Sequence, residues 1–394
     1  MSESNRREFL KKIGAGAGAS LTAAGLTPRR IAGAAPGFER VMYRKLGSTG
    51  ELVSEIGFGT MNTREADLIH AAIDNGINYI DTANVYMNGV NEQIVGSVMK
   101  TKRDKVFLVT KVGLNKDIPA IPDEIAASLK RLQTDHVDLL LLHKTNAREE
   151  ILNDTIMKTF DEARRKGQTR FVGFSTHNFE ETVFDAAIES KFWEAVLTGY
   201  NYFIPPSVAK GIRKVREAGI AVIGMKNLIT MTSPASTRVQ LDDIRKDKNS
   251  STTTQQALLK WVLEDPYVDT IIPGMTAFEH LSDNLAVMGK KLSFEDTLIL
   301  KKYAAAKSDS YCRCVVGCTG CRGKCPKGVE VSEFNRCLGY AYGYGSMELA
   351  RENYAALPLS NRIEVCRDCD ECTVSCVNGL NIGERITAAK RLFG

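Results

Sequence analysis

Residues 1–311 contain no cysteine, and all ten cysteines of this 394-residue chain lie between Cys312 and Cys376. Disulfide stapling of the larger part is thereby excluded, and thiol chemistry is confined to one module. No apolar run reaches the roughly 18 residues a bilayer-spanning helix needs, so no integral span is expected in the mature protein. Charge of one sign is scarce as well. Of the formal net charge of +5, the first 34 residues carry +4, through six Lys/Arg against Glu3 and Glu8. A near-neutral body creates no field that would gather nucleic acid. What remains is of ordinary globular composition, 43% apolar and 25% charged, and long enough for two or three domains.

Residues 1–35 read as a targeting segment. Asn5-Arg6-Arg7-Glu8-Phe9-Leu10-Lys11-Lys12 precedes a mildly apolar Gly/Ala stretch from Ile13 to Leu26, and Ala32-Gly33-Ala34 is a small-residue cleavage pattern. The segment resembles a twin-arginine export signal, which implies cleavage near Ala34 and a periplasmic location. That route carries folded proteins, and so suits one that takes up a metal cofactor before export. A plain basic tail and a cytoplasmic enzyme are the competing readings.

From residue 36 to 308, short apolar runs alternate with amphipathic ones. Strands are expected at Glu55–Thr60, Ile77–Asp81, Val106–Lys111, Val137–His143, Thr169–Phe174, Ala195–Tyr200, Ile220–Met225 and Thr270–Pro273. Helical patterns lie between most of them, at Glu65–Asn75, Glu92–Lys100, Pro122–Leu132, Ile151–Lys166, Val208–Ala218 and Thr253–Leu263. Alternation of this kind predicts an α/β fold with a parallel sheet, and eight strands over this length predict a closed eight-stranded (β/α) TIM barrel. An open doubly wound sheet would want a glycine-rich phosphate loop after its first strand, and Gly57-Phe58-Gly59-Thr60 lacks the third glycine. Met42–Val53 reads as a hairpin around Ser48-Thr49-Gly50, placed to plug the barrel bottom.

In such barrels the chemistry sits where strands end at the C-terminal face. Strand tips here carry Asp81, with Tyr86 a turn further on, then Lys111, His143, Ser175-Thr176-His177, Tyr200-Asn201 and Lys226. A phenol with an ordinary pKa of about 10 is a weak acid at neutral pH, and an ammonium beside it favours the phenolate. A carboxylate holds that ammonium, and an imidazole can orient a carbonyl oxygen. The set suits proton donation to a carbonyl as hydride arrives at carbon.

The stretches Gly76 to Tyr86, Arg103 to Lys111, Ser128 to His143 and Gly167 to Ser175 resemble the aldo-keto reductase family, and the resemblance runs from about Tyr43 to Asn284. It implies a catalytic set in which Tyr86 is the general acid/base, Lys111 tunes it, Asp81 anchors Lys111 and His143 orients the substrate. It also implies a nicotinamide nucleotide, NAD(P)H, held by Ser175, Thr176, Tyr200, Asn201 and Lys226 and by the turn containing Pro273, Gly274 and Asn284. Relatives that hold a 2′-phosphate place Lys or Arg in that turn, and none occurs between Pro273 and Asn284.

Residues 309–394 form the cysteine-rich segment, with too few apolar residues for a large core and an expected dependence on metal for folding. Cys366, Cys369, Cys372 and Cys376 form a C-x₂-C-x₂-C-x₃-C string. An earlier set comprises Cys314, Cys318, Cys321 and Cys325-Pro326, with Cys312 an equal candidate for its first ligand. Together they resemble a ferredoxin-like module with two 4Fe-4S clusters, whose two strings are separated here by Pro326–Val365. The resemblance implies crossed ligation, three early cysteines plus Cys376 for one cluster and Cys366, Cys369, Cys372 plus Cys325 for the other. Disulfides and zinc compete with this reading. The expected protein is an exported oxidoreductase acting on a small-molecule carbonyl or alcohol, with electrons relayed through the clusters to a redox partner protein. Its rival is an iron–sulfur electron carrier whose barrel only binds.

Overall fold

The structure is a computed structural model that describes residues 41–113, 118–177, 180–228, 252–307 and 312–394, less 317, 322, 344–345, 367–368 and 370–371. The expected export segment lies outside the described residues. Strands β1 (Tyr43–Lys45) and β2 (Leu52–Ser54) pair antiparallel, Tyr43 opposite Ser54. Their turn is tied to the barrel by Gly47 N donating to Asp269 Oδ2 at 3.1 Å and Ser48 N donating to Gly219 O at 2.9 Å. Leu46 and Val53 of this hairpin are fully buried against the barrel interior, so it is the expected bottom plug.

Eight parallel strands follow: β3 (Phe58–Gly59), β4 (Tyr79–Asp81), β5 (Phe107–Gly113), β6 (Val137–His143), β7 (Thr169–Ser175), β8 (Ala195–Gly199), β9 (Ala221–Met225) and β10 (Thr270–Ile271), each bonded to the next in chain order. Parallel bridges Ile56–Ile271 and Gly59–Gly274 join first to last and close the ring. At this seam only a glycine fits at position 59, because a Cβ there would lie 2.7 Å from Ile272 O.

Side-chain alternation decides what faces where. Tyr79, Val109, Leu139, Leu141, Leu197 and Ile223 fill the barrel. Their neighbours Ile80, Leu108, Leu140, Leu142, Val196 and Val222 point outward and pack against the helices. Those helices lie at Ala66–Asp74, Val90–Lys102, Ile121–Leu132, Asp154–Arg165, Pro206–Glu217 and Thr254–Leu263, with another at Glu180–Ser190 that the sequence reading does not contain. No described helix is long and apolar enough to cross a membrane.

The cysteine-rich segment has no strand among its described residues, and the short helices that the sequence leads one to expect there lie at Val331–Leu338, Met347–Ala355 and Ile382–Phe393. The chain between the two cysteine strings supplies Val331, Phe334, Leu338, Tyr354, Leu357 and Ile363, which pack with Leu380 and Ala389 into a separate apolar core. This core is small, in keeping with a segment that cannot bury a large one. This module lies over the C-terminal face of the barrel. Arg64 pairs with Glu348 at 3.0 Å and Asn88 donates to Glu352 at 3.2 Å. Lys144 Nζ reaches Asn353 Oδ1 at 3.5 Å, and the Arg313 guanidinium sits 5.0 Å from the Phe203 ring centre. All four barrel residues follow strand tips.

Candidate active site

Asp81 closes β4, Lys111 lies near the end of β5 and His143 closes β6, so inward alternation carries all three to one mouth. The Lys111 ammonium donates to Asp81 Oδ1 at 2.5 Å, to Thr82 O at 2.6 Å and to Tyr86 Oη at 3.3 Å. It also lies 4.9 Å from the Tyr86 ring centre. The His143 ring meets Tyr86 edge-on, with centroids 6.0 Å apart and planes at 82°.

Tyr86 is placed by a turn with unusual backbone. Met87, Asn88 and Gly89 have φ of 50°, 53° and 87°, left-handed values that cost free energy in the first two and are free in the glycine. Asn91 fixes the base of this loop. Its Oδ1 accepts from the hydroxyls of Thr60 (2.6 Å) and Thr82 (2.7 Å), while its Nδ2 donates to Thr60 O at 2.8 Å. Behind Lys111, Glu92 accepts from Thr110 at 2.5 Å and pairs with Arg131 at 2.7 Å.

Burial, foremost, pushes the Lys111 ammonium down and the Asp81 carboxyl up, and each holds the other back toward its charged form. His143 is pushed well below its ordinary value by burial and then by Lys144, Lys111 and Arg336. His177 is depressed in the same way, by burial and then Lys226, Arg336, Lys144 and His143. Both imidazoles are therefore neutral at pH 7, and His143 offers an N–H to a carbonyl oxygen without titrating. The unfolded chain protonates both near pH 6.5 while the folded one does not, so their contribution is present above about pH 6.5 and lost as pH falls toward the depressed folded values. Urea unfolding of His143→Gln is expected to show a shallower loss of stability between about pH 5 and 6.5, by up to ~1.4 kcal/mol per pH unit relative to wild type.

The other expected residues divide. Ser175 Oγ accepts from Lys144 N at 3.0 Å, and Thr176 is buried with its N–H on Leu197 O at 3.0 Å. The Asn201 side chain braces the loop, donating to Lys226 O at 3.1 Å and accepting from Phe203 N at 3.0 Å. Pro273 O accepts from Gly59 N at 3.3 Å, and Gly274 forms the seam. Asn284 Nδ2 and Lys226 Nζ are buried donors with no hydrogen-bond partner among the described residues. Such donors fit acceptors on a nucleotide. Tyr200 does not. It has the outward parity of Val196, its ring stacks on Trp261 at 5.8 Å and its hydroxyl donates to Asp265, so its expected place among the residues holding the nucleotide is corrected.

All ten thiols are free. Cys321 is pushed up to about 11 by burial and by Cys312, Cys318 and Cys376, and Cys366 is pushed up by burial and by Cys369, Cys325 and Cys372. Cys321 thus feels the thiols of Cys312, Cys318 and Cys376, and Cys366 those of Cys325, Cys369 and Cys372. The Cys314 thiol reaches Ser332 O at 3.5 Å and shares a hydrogen bond with the Cys312 thiol, so the two candidates for first ligand stand side by side. No described group of three or more His, Cys, Asp or Glu is spaced for a single metal ion. Sequence reasoning missed Lys144 and Arg336. The first directly follows His143 and could have been found there; nothing in the sequence marks the second.

Comparison with known proteins agrees with this geometry. The model of the aldo/keto reductase family matches residues 55–232. The uncharacterized oxidoreductase YqkF of Bacillus subtilis is 26% identical over 308 residues, covering 68% of this chain and 97% of its own. An aldo-keto reductase of Bacillus halodurans in its holo form superposes with a TM-score of 0.56 at 25% identity, over 67% of this chain and 96% of its own. An aldo-keto reductase of Klebsiella pneumoniae solved in complex with NADPH gives 0.57 at 26% identity, over 66% and 95%.

Proposed function

We propose that this chain, an oxidoreductase with an aldo/keto reductase domain at residues 55–232, reversibly interconverts a carbonyl and a hydroxyl at Tyr86, using a nicotinamide nucleotide and two 4Fe-4S clusters. The observation that carries the reading is the Lys111 ammonium, 3.3 Å from Tyr86 Oη and anchored on Asp81, at the mouth where His143 stands. Tyr86 gives its proton to the carbonyl oxygen, Lys111 stabilises the oxygen left behind, and neutral His143 orients the carbonyl. The nucleotide supplies the hydride when bound. Asn284 is a residue suited to hold it, and the absence of Lys or Arg from Pro273 to Asn284 favours NADH over NADPH. Quenching of Trp193 and Trp261 is expected to report tighter binding of NADH, and tighter NADPH binding overturns that preference.

Cys312, Cys318, Cys321 and Cys376 would hold one cluster, and Cys325, Cys366, Cys369 and Cys372 the other. Support comes from the chemistry of the donors: Cys321 and Cys366, whose ionisation burial and neighbouring thiols oppose, would be stabilised as thiolates by a cationic iron–sulfur core. The clusters supply one-electron transfer, and a redox partner protein would exchange those electrons. Anaerobically purified protein is expected to be brown, with roughly eight iron and eight sulfide per chain. Cys312→Ala should lose about half of that iron and Cys314→Ala should keep it. Colourless, iron-free protein overturns the cluster assignment. Export to the periplasm by the twin-arginine route belongs to the same reading, supported by Arg6-Arg7 and Ala32-Gly33-Ala34. The periplasmic protein should begin shortly after Ala34, and an intact Met1 there overturns export.

A further inference from the structure

Beside His143 the mouth is built from cations contributed by both parts of the chain. Lys144 directly follows His143 at the tip of β6, and Lys226 follows β9 with φ 57°. Arg336 comes from the helix Val331–Leu338 of the cysteine module. One atom ties two of them together: Asn353 Oδ1 accepts from Arg336 Nη1 at 3.1 Å and from Lys144 Nζ at 3.5 Å. The fields of Lys226 and Arg336 both reach His177, which stands two residues beyond β7. The Lys226 ammonium is buried and has no hydrogen-bond partner among the described residues.

Two carboxylates face this group. Glu333 is committed to Arg336 Nη2 at 2.8 Å. Glu180 is buried with both oxygens unpartnered, and burial pushes it up to about 7 even beside Lys226. The phenol of Tyr340, 3.4 Å from Arg336 Nη1, is a further polar group in the space. Burial raises the Tyr340 phenol, yet Lys226, Arg336 and Lys144 together hold it below its ordinary value, so it and Glu333 offset part of the positive charge. The buried Lys226 ammonium still lacks a hydrogen-bond partner among the described residues, which is costly unless a ligand supplies the acceptor.

We propose that Lys226, Lys144 and Arg336 form a subsite for an anionic group, a carboxylate or phosphate, on the small molecule whose carbonyl lies on His143. The assignment rests on the carbonyl-reducing reading above and narrows it to substrates bearing such a group. It also makes the cysteine module part of the substrate site, because Arg336 belongs to it. The nucleotide's phosphates offer the same chemistry, and the experiment separates the two sources.

Calorimetric titration of the anaerobically purified full chain with oxalate and with inorganic phosphate is expected to show binding. Lys226→Met and Arg336→Met should each weaken it roughly 10- to 100-fold, the loss of one charge-assisted hydrogen bond. Lys226→Arg should retain most of it. Where the substrate is the source, the ratio of kcat/KM for 2-oxobutanoate to that for butanone falls by a similar factor. Where NADH affinity falls and that ratio holds, the anion is the nucleotide's phosphate and the assignment to the substrate is overturned. Absence of oxalate and phosphate binding to wild type, or equal binding by variants of unchanged melting temperature, overturns the proposal. Repeating the titration on Tyr86→Phe keeps the two readings apart, since anion binding there survives a failure of the carbonyl chemistry.

Discussion

Tyr86→Phe is expected to lower kcat/KM for carbonyl reduction by roughly 10²- to 10⁴-fold, the range lost when a positioned proton donor is removed. The effect should lie almost wholly in kcat. The ring, its edge-on contact with His143 and the left-handed turn through Gly89 all survive the substitution, so the pocket that binds substrate is kept. Only the oxygen that Lys111 addresses at 3.3 Å disappears. Melting temperature and nucleotide quenching serve as controls and should match wild type. Turnover within a few-fold of wild type on every carbonyl tested sinks the assignment of Tyr86.

Asp81→Asn is expected to destabilise the fold by about 3–5 kcal/mol, because it leaves the Lys111 ammonium buried without its counter-charge. Lys111 is 1% exposed, so water cannot take the place of the carboxylate. Asp81 Oδ2 has no described hydrogen-bond partner, so the ion pair leans on the single contact to Oδ1 and has no second bond in reserve. A falling urea midpoint at unchanged m-value measures the loss. Lys111→Met in the same background should recover part of it, since the double variant buries no unpaired charge. Simple addition of the two single losses would mean that the residues do not act as a pair. Turnover should collapse in both single variants, through a displaced ammonium in one and a missing one in the other.

The barrel was legible because its physics is local. The run Val137 to His143 reads as a fully buried strand with a polar tip, and alternation alone puts Leu139, Leu141 and His143 on one side. Applied as strictly to β8, the same rule assigns Tyr200 to the outside with Val196; resemblance to relatives had suggested the opposite. The ends of the sheet were less visible. β3 and β10 are two residues each, and single bridges do the work of the longer strands expected there. The docking of the cysteine module was not legible at all. Glu348, Glu352 and Asn353 occupy an ordinary amphipathic helix, and only the tertiary fold brings them onto Arg64, Asn88 and Lys144. The approach of Cys376 to Cys321, more than fifty residues away, is likewise a product of the tertiary fold, and spacing carries no record of it.

The seam between Ile56 and Ile271 also bears on how the chain is made. Its two sides are separated by more than two hundred residues, so at a ribosomal rate of about 5–20 residues per second the first strand waits roughly ten to forty seconds for its last neighbour. Throughout that interval the nascent sheet keeps two raw edges able to pair with another chain. Sticky half-barrels are thus an obligatory stage of biogenesis, and recovery of soluble protein should depend on chaperones that shield exposed edges.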